Sequence, residues 1–388
     1  MPVNVKNGRG NHEKDNVYDH EVVKNCIESY KPALPHYRRA HAPYRRYLPG
    51  DITVMDMWKD HVKINEKNSK MCCNAFWKVF KTMNIAMTRL GNEECEVCEK
   101  FYFHKRDCKC ETLCEVYASF ITHKRKYTMA RKDYEKDKTL KIKSSDIYVA
   151  VDLEKVIMLP RCDQFKQAIF TRRLCVFNET FAGLAGRGNQ AFIWHEGTSG
   201  RKDEDIASSY FSFLINNRDA ESFTIWADNC TAQNKNWTLF SMFVYVINNM
   251  QTNANKITIK YFEPGHTFMA ADAVHSKVEE QMKKMDKVYD FKDFAKCVRS
   301  AGCTTVEMGH NDFKLWEKGD SYHKVKKHIS RIKLEDITVV QFRKDSRNMF
   351  VKTFYISEYK EIDFLKDSFE LKEAVSRNSP RGVETRKK

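Results

Sequence analysis

Nowhere does the chain approach the roughly 18 consecutive apolar residues that span a bilayer. The best stretch, Thr238 to Met250, is short and broken by Asn248 and Asn249. The opening MPVNVKNGRGNHEKD has no apolar core, so no secretory leader is expected. No internal repeat is visible. Acidic residues are the minority: 52 Asp and Glu stand against 67 Lys and Arg, a formal net charge of +15. These absences argue against a membrane protein and for an intracellular, nuclear one. The positive surplus points to a polyanion partner, DNA above all, although a basic soluble protein would show the same balance.

What remains is globular. The 388 residues are 31% charged and 42% hydrophobic, enough for two or three modules. Residues 1–17 are polar and rich in Asn and Lys, and disorder is expected there. Residues 18–90 read as helical. Within them HYRRAHAPYRRYLPG, His36 to Gly50, holds four Arg, three Tyr and no acid. Two helices are predicted at about 51–62 and 70–83, capped by Asp51 and Ser69 and joined by the polar EKNS. That pair is compatible with a helix-turn-helix. Arg38, Arg39, Arg45, Arg46, Lys70, Lys78 and Lys81 are then the candidate phosphate contacts, with Tyr37, Tyr44 and Tyr47 beside them. A solvated basic linker is the alternative.

Thirteen cysteines, an odd number, are unevenly placed, and five fall between Cys95 and Cys114. In a reducing compartment such clustering favours metal over disulfides. EECEVCEKFYFHKRDCKCETLC offers Cys95, Cys98, His104, Cys108, Cys110 and Cys114. Two thiolates at CxxC spacing grip one tetrahedral Zn²⁺. Cys95 and Cys98 plus two of His104, Cys108, Cys110, Cys114 and His123 are expected to complete the structural site; reduced, unligated cysteines are the alternative. Residues 91–140 thus form a zinc segment followed by a long basic connector helix over Glu115 to Lys138.

From 141 to 290 the order is clearer. SSDIYVAVDLEKVIMLP, QAIFTRRLCVFNETFAG and NQAFIWHEG read as three strands, then EDIASSYFSFLINN as a helix, SFTIWADNC as a strand, NWTLFSMFVYVINNM as a helix, NKITIKYFEPG as a strand and ADAVHSKVEEQMKKM as a last helix. The fold class is α/β, a mixed sheet flanked by helices, in the element order of the ribonuclease H fold. Residues 291–375 are an α+β extension with a helix near Phe291 to Ser300 and a hairpin around KDSR. Residues 376–388 are a loose basic tail.

Three carboxylates fall where that order can use them. Asp152 lies inside the apolar VAVDLEK, where an unpaired charge is costly, unless the strand is an edge. Asp228 ends FTIWAD and opens the amide-rich DNCTAQNKN, although an Asp-Asn turn would read alike. Asp272, His275 and Glu279 share one helical face, which an ordinary solvated face would also explain. Two-metal phosphodiester chemistry needs such converging acids, holding Mg²⁺ or Mn²⁺ through oxygen. Asp152, Asp228 and Asp272 are the expected ligands. Glu279 and Asp205 are reserves; Asp205 and Glu204 also suit a helix N-terminus. Glu196 is another candidate.

WHEGTSGRKDEDIASS, WADNCTAQNKN and EPGHTFMAADAVHSKVE resemble the blocks of an uncharacterised, transposon-derived eukaryotic family. HYRRAHAPYRRYLP and EECEVCEK are similar to its upstream region. The resemblance spans roughly residues 20–360. It implies a ribonuclease H-like core of the DDE/D transposase type, and it favours a downstream His, such as His123, in the zinc site. Members carry Glu where this chain has Asp205, and often an apolar residue where it has His275. The function expected is metal-dependent DNA cleavage or strand transfer, with two Mg²⁺ or Mn²⁺ ions, a structural Zn²⁺, and DNA and a second copy of the chain, as a homodimer, for partners. The alternative is a domesticated, inactive DNA-binding or zinc-containing interaction protein.

Overall fold

A computed structural model describes residues 19–30, 32, 45–48, 52–65, 71–87, 95–107, 114–162, 172–249, 252–285, 287–316, 332–367, 369, 371 and 374–382. The chain divides into two compact units, Met1–Glu94 and Cys95–Lys388.

The first unit holds α1 (His20–Ser29), β1 (Arg46–Leu48), α2 (Val54–Ile64), α3 (Cys73–Thr82) and β2 (Ile85–Met87). Asp19 caps α1, and Thr53 with Asp56 forms a capping box on α2, each satisfying amides that the first turn leaves open. The cap of α2 is therefore Thr53. Asp51 lies outside the described residues, as do Ser69, Arg38, Arg39, Lys70, Tyr37 and Tyr44. Helix α3 begins at Cys73, later than the sequence suggests, with no side-chain cap. Val23, Ile27, Met57, Phe76, Val79 and Phe80 make the core. β1 and β2 pair in parallel. Arg46 is spent structurally: its guanidinium donates twice to the Glu28 carboxylate, at 2.7 Å each. Arg45, Lys78 and Lys81 are exposed, although the Lys81 ammonium sits 3.6 Å over the Trp77 ring.

The second unit is α/β, a mixed sheet flanked by helices. It opens with α4 (Glu96–Asp107) and α5 (Glu115–Thr139), then β3 (Asp146–Leu153), β4 (Ile157–Leu159), β5 (Arg161–Cys162), β6 (Leu174–Gly183) and β7 (Asn189–His195). There follow α6 (Asp203–Asn216), β8 (Ser222–Ala227), α7 (Trp237–Asn248), β9 (Lys256–Tyr261) and α8 (Ala270–Met285). The chain closes with β10 (Lys287–Val288), α9 (Phe291–Ser300), β11 (Cys303–Glu307), β12 (Val339–Arg343), β13 (Met349–Lys352) and β14 (Lys360–Ile362). The main sheet runs β11-β7-β6-β3-β8-β9-β12-β13-β14, with β4 also on β6. β3 is antiparallel to β6 and parallel to β8, and β8 is parallel to β9. SSDIYVAVDLEKVIMLP is thus two strands, β3 and β4, rather than one.

The pleat sends alternate residues to opposite faces. Val149, Val151, Phe177, Phe181 and Ile225 meet α6 and α7 through Tyr210, Phe213, Leu239 and Phe243. Ala150, Val176, Ala182, Ile193 and Trp226 meet α5, α8 and α9 through Tyr134, Val274, Val278 and Phe294. Each fully buried side chain of this size is worth about 1.5–3 kcal/mol.

Three sequence expectations change here. Helix α5 is a packed layer and no mere connector: its Asp137 accepts from the Trp226 indole at 2.9 Å and from Lys260 at 2.7 Å. The 291–375 stretch extends the same sheet at both edges. The supposedly loose tail is tied down as far as Gly382. Arg381 and Gly382 donate their amides to Thr198 and Gly197. Arg377 grips Asp205 at 2.8 Å, Glu204 at 3.5 Å and the Ser199 hydroxyl. Among the described residues no helix is long and apolar enough to cross a membrane.

Arg161 of β5 clamps α8 by a bidentate pair to Glu279, both bonds 2.8 Å. The Arg161 hydrogen bonds, against opposing burial, lower the Glu279 carboxyl to about 2. A depressed acid contributes stability above its ordinary value, and that contribution is lost as pH falls through the folded value. Glu279→Gln should therefore destabilise the protein by about 1 kcal/mol at pH 7. The gap from wild type should close between about pH 4.5 and pH 2, as read by urea unfolding at each pH.

Candidate functional site

Two constellations form in the second unit. The first gathers Cys95, Cys98, His123 and His266, whose ligand atoms all lie within 4.8 Å of one another. Cys95 and Cys98 stand at the start of α4, His123 on α5, and His266 on the turn between β9 and α8. Cys95 Sγ is 3.0 Å from His123 Nε2, Cys98 Sγ 3.5 Å from His266 Nε2, and the two Nε2 atoms are 3.1 Å apart. The group could hold one metal ion, and Cys₂His₂ is a donor set of closed tetrahedral zinc sites. His123 Nδ1 lies 3.1 Å from Glu263 Oε1, a carboxylate partner that leaves Nε2 bare for a metal. Tyr127 stacks on His266 at 3.9 Å.

The protonation of these groups also suits a cation. Burial raises the Cys95 thiol, but the His123 and His266 rings prevail and lower it to about 5. Burial and the neighbouring Cys95 push Cys98 up to about 12. Burial would lower His123, yet Cys95 and Glu263 lift it to about 9. One thiolate thus opposes the second, and a divalent cation relieves both.

Cys95, Cys98 and His123 are where the sequence places them. His104 and Cys114 are not in the cluster: they meet each other, Nε2 to Sγ at 3.0 Å, because α4 carries His104 two turns beyond Cys98. Cys108 and Cys110 lie outside the described residues. The fourth ligand, His266, comes from 168 residues beyond Cys98, a separation that local spacing cannot reveal. Gly265 makes the approach feasible. Its φ is +78°, and a Cβ there would lie 2.7 Å from Cys95 Cβ.

The second constellation is acidic. Asp152 occupies the penultimate position of β3, Asp228 follows β8, and Asp272 lies in the first turn of α8. Because β3 and β8 are adjacent and parallel, Val151 stands beside Ala227, which brings Asp152 and Asp228 together at their carboxyl ends. Burial first, then the like charges of Asp228 and Asp272, hold the Asp152 carboxyl well above the ordinary range. Burial raises Asp272 against a 2.7 Å hydrogen bond from the Met269 amide and the Arg131 charge. Asp228 Oδ1 accepts from Asn234 Nδ2 at 2.6 Å and from the Cys230 amide at 3.1 Å. Asn234 in turn accepts from the Tyr210 hydroxyl at 2.9 Å, so DNCTAQNKN orients the acid. His275 Nδ1 is 3.6 Å from Asp152 Oδ2, and burial lowers this ring to about 4.

The reserve acids do not join. Glu279 is held by Arg161. Asp205 is consumed by Ser199 at 2.6 Å, the Lys202 amide at 2.8 Å and Arg377. Glu204 also faces Arg377, and Glu196 accepts from the Cys175 amide at 3.0 Å. Glu179, passed over in the sequence, is the fourth acid present. It lies on β6, its side chain is 0% exposed, and both carboxylate oxygens lack a partner. Burial, then Asp152 and Asp228, raise it well above the ordinary range. The signal was available: NETF sits in an apolar strand just as VAVD does.

His266→Ala should abolish binding of the ion at the Cys₂His₂ cluster, read as zinc by elemental analysis of the purified protein. Gly265→Ala removes no ligand, yet should also lower the zinc content. It forces an L side chain into left-handed backbone, at a cost of about 1–2 kcal/mol, and into Cys95. Full zinc content in Gly265→Ala would contradict the close-approach argument.

Residues 191–357 match the model of a family described as Domain of unknown function (DUF7869). The match takes in Asp228, His266 and Asp272, while Asp152, Glu179, Cys95, Cys98 and His123 fall outside it. No curated protein and no solved structure matches the chain.

Proposed function

We propose that the protein is a transposon-derived, metal-dependent DNA nuclease or transposase, with a ribonuclease H-like core and a structural zinc. The observation that carries the reading is the meeting of Asp152, Asp228 and Asp272, from two parallel strands and a helix, at one edge of the sheet. The strand order supports it by analogy. β7-β6-β3-β8-β9, antiparallel across β7, β6 and β3 and parallel from β3 to β9, is the ribonuclease H arrangement 3-2-1-4-5.

The residues fit divalent cations. The donors are hard carboxylate oxygens; Asp228 and Asp272 raise the Asp152 carboxyl, and Asp152 and Asp228 raise that of Glu179. Asp152, Asp228 and Asp272 would hold Mg²⁺ or Mn²⁺. Two such ions, when bound, activate a water or a 3′-hydroxyl and stabilise the leaving oxygen of a phosphodiester. The chain's own part is positioning. Asn234 and the Cys230 amide fix one oxygen of Asp228. The Met269 amide holds Asp272 in the first turn of α8. His275, uncharged at neutral pH, closes the side of Asp152 and adds no cation that would compete.

The Cys₂His₂ cluster is assigned to Zn²⁺ on donor softness. Its role is structural, since four protein donors would leave a bound ion no open position. DNA contact is assigned to the first unit through the exposed Arg45, Lys78 and Lys81, and localisation to the nucleus follows from that substrate. One observation favours a domesticated, non-cutting protein instead: α6 offers no acid to the carboxylate site, because Asp205 and Glu204 are both tied to Arg377.

Asp228→Asn separates the two. The isosteric amide can still accept from Asn234 and Cys230, so zinc content and fold should persist. Removing a direct ligand should cost more than the 10–100-fold lost with an indirect partner. DNA cleavage or strand transfer with Mg²⁺ or Mn²⁺ should therefore fall by at least about 100-fold. No cleavage by wild type on single- or double-stranded DNA with either metal would favour the binding protein. Equal cutting by the variant would make Asp228 a turn residue.

A further inference from the structure

We propose that Glu179 supplies the fourth carboxylate of the divalent-cation site, from strand β6 in place of helix α6. This rests on the reading of the Asp152, Asp228 and Asp272 cluster as a divalent-cation centre. Three observations carry it. Glu179 pairs across the sheet with Leu153, the last residue of β3, so it stands level with the strand end where Asp152 and Asp228 meet. Its neighbours Phe177 and Phe181 belong to the core under α6 and α7, so it approaches from the face where a helix-borne acid would stand. The acids of helix α6 are engaged elsewhere: Asp203 accepts from Thr238, and Glu204 and Asp205 form ion pairs with Arg377.

The carboxylate is also without protein company. It is completely buried, and neither Oε1 nor Oε2 has a hydrogen-bond partner. The nearby Tyr210 hydroxyl is engaged by Asn234. The charged groups acting on Glu179 are Asp152 and Asp228, both acids. A buried ionised carboxylate with no partner costs several kcal/mol, and among the described residues no Lys or Arg supplies the counter-charge. A hard cation shared with the two aspartates does.

The test is a Mn²⁺ titration of the full-length, zinc-loaded protein by calorimetry and electron paramagnetic resonance. The proteins are wild type, Glu179→Gln and Asp228→Asn. Glu179→Gln keeps the shape and removes the charge. It is expected to bind Mn²⁺ at least about tenfold more weakly, with zinc content intact and the metal-free thermal midpoint equal to or above wild type. Should Gln fail to fold, Glu179→Asp serves: its carboxylate falls one methylene short of the site, and Mn²⁺ affinity should drop likewise. Wild-type affinity in either folded variant, while Asp228→Asn has lost it, overturns the role of Glu179 alone and leaves it a buried neutral acid. Absence of Mn²⁺ binding in wild type overturns both this inference and the reading of the site on which it stands.

Discussion

Like charge confined at one edge of a sheet is the constraint on which the rest of this structure depends. Asp152, Glu179, Asp228 and Asp272 come from β3, β6, the end of β8 and α8; Asp228 and Asp272 raise the cost of ionising Asp152, and Asp152 and Asp228 raise that of Glu179. A fold that sought stability alone would separate such groups or give each an Arg. Arg161 goes to Glu279 and Arg377 to Asp205, while the Arg131 charge acts on Asp272. Among the described residues Glu179 is left with no hydrogen-bond partner at either oxygen. Such a local conflict, tolerated inside an otherwise consistent core, is where function is expected.

The Cys₂His₂ cluster bears on the same edge from the other end of a short segment. His266 and Asp272 flank the start of α8, and Arg131 donates to the His266 carbonyl at 3.3 Å while its charge acts on Asp272. Tyr134 accepts from the Ala270 amide at 2.8 Å. Helix α5 therefore holds the first turn of α8 through side chains, and the cluster holds the turn before it through metal-type ligands. An acid in a first turn is well placed only if that turn is.

Much of the sheet was legible because its signals are local. Apolar alternation and turn residues identify β3, β6 to β9 and the intervening helices, and acids inside apolar strands draw the eye to Asp152 and Asp228. What escaped was long-range. His266 is an ordinary turn residue until β9 brings it to Cys98. Asp205 fits a helix N-terminus equally well as a cap and as a ligand, and only Arg377, far along the chain, decides between them. Glu179 carries the same local signal as Asp152 but has no counterpart in the ribonuclease H arrangement of acids. Arg46, read as a phosphate contact, is claimed by Glu28 from a helix that spacing does not connect to it.

The Arg377 strap also orders events in time. Arg377 stands 178 positions after Ser199, and chains emerge from the ribosome at about 5–20 residues per second. The N-terminus of α6, with Asp203, Glu204 and Asp205 crowded into one turn, must wait for its guanidinium for on the order of ten seconds or more at those rates. During that interval the β3, β6 and β7 hairpins can pair, since all their residues precede α6. The closing ion pair thus forms only late in biosynthesis.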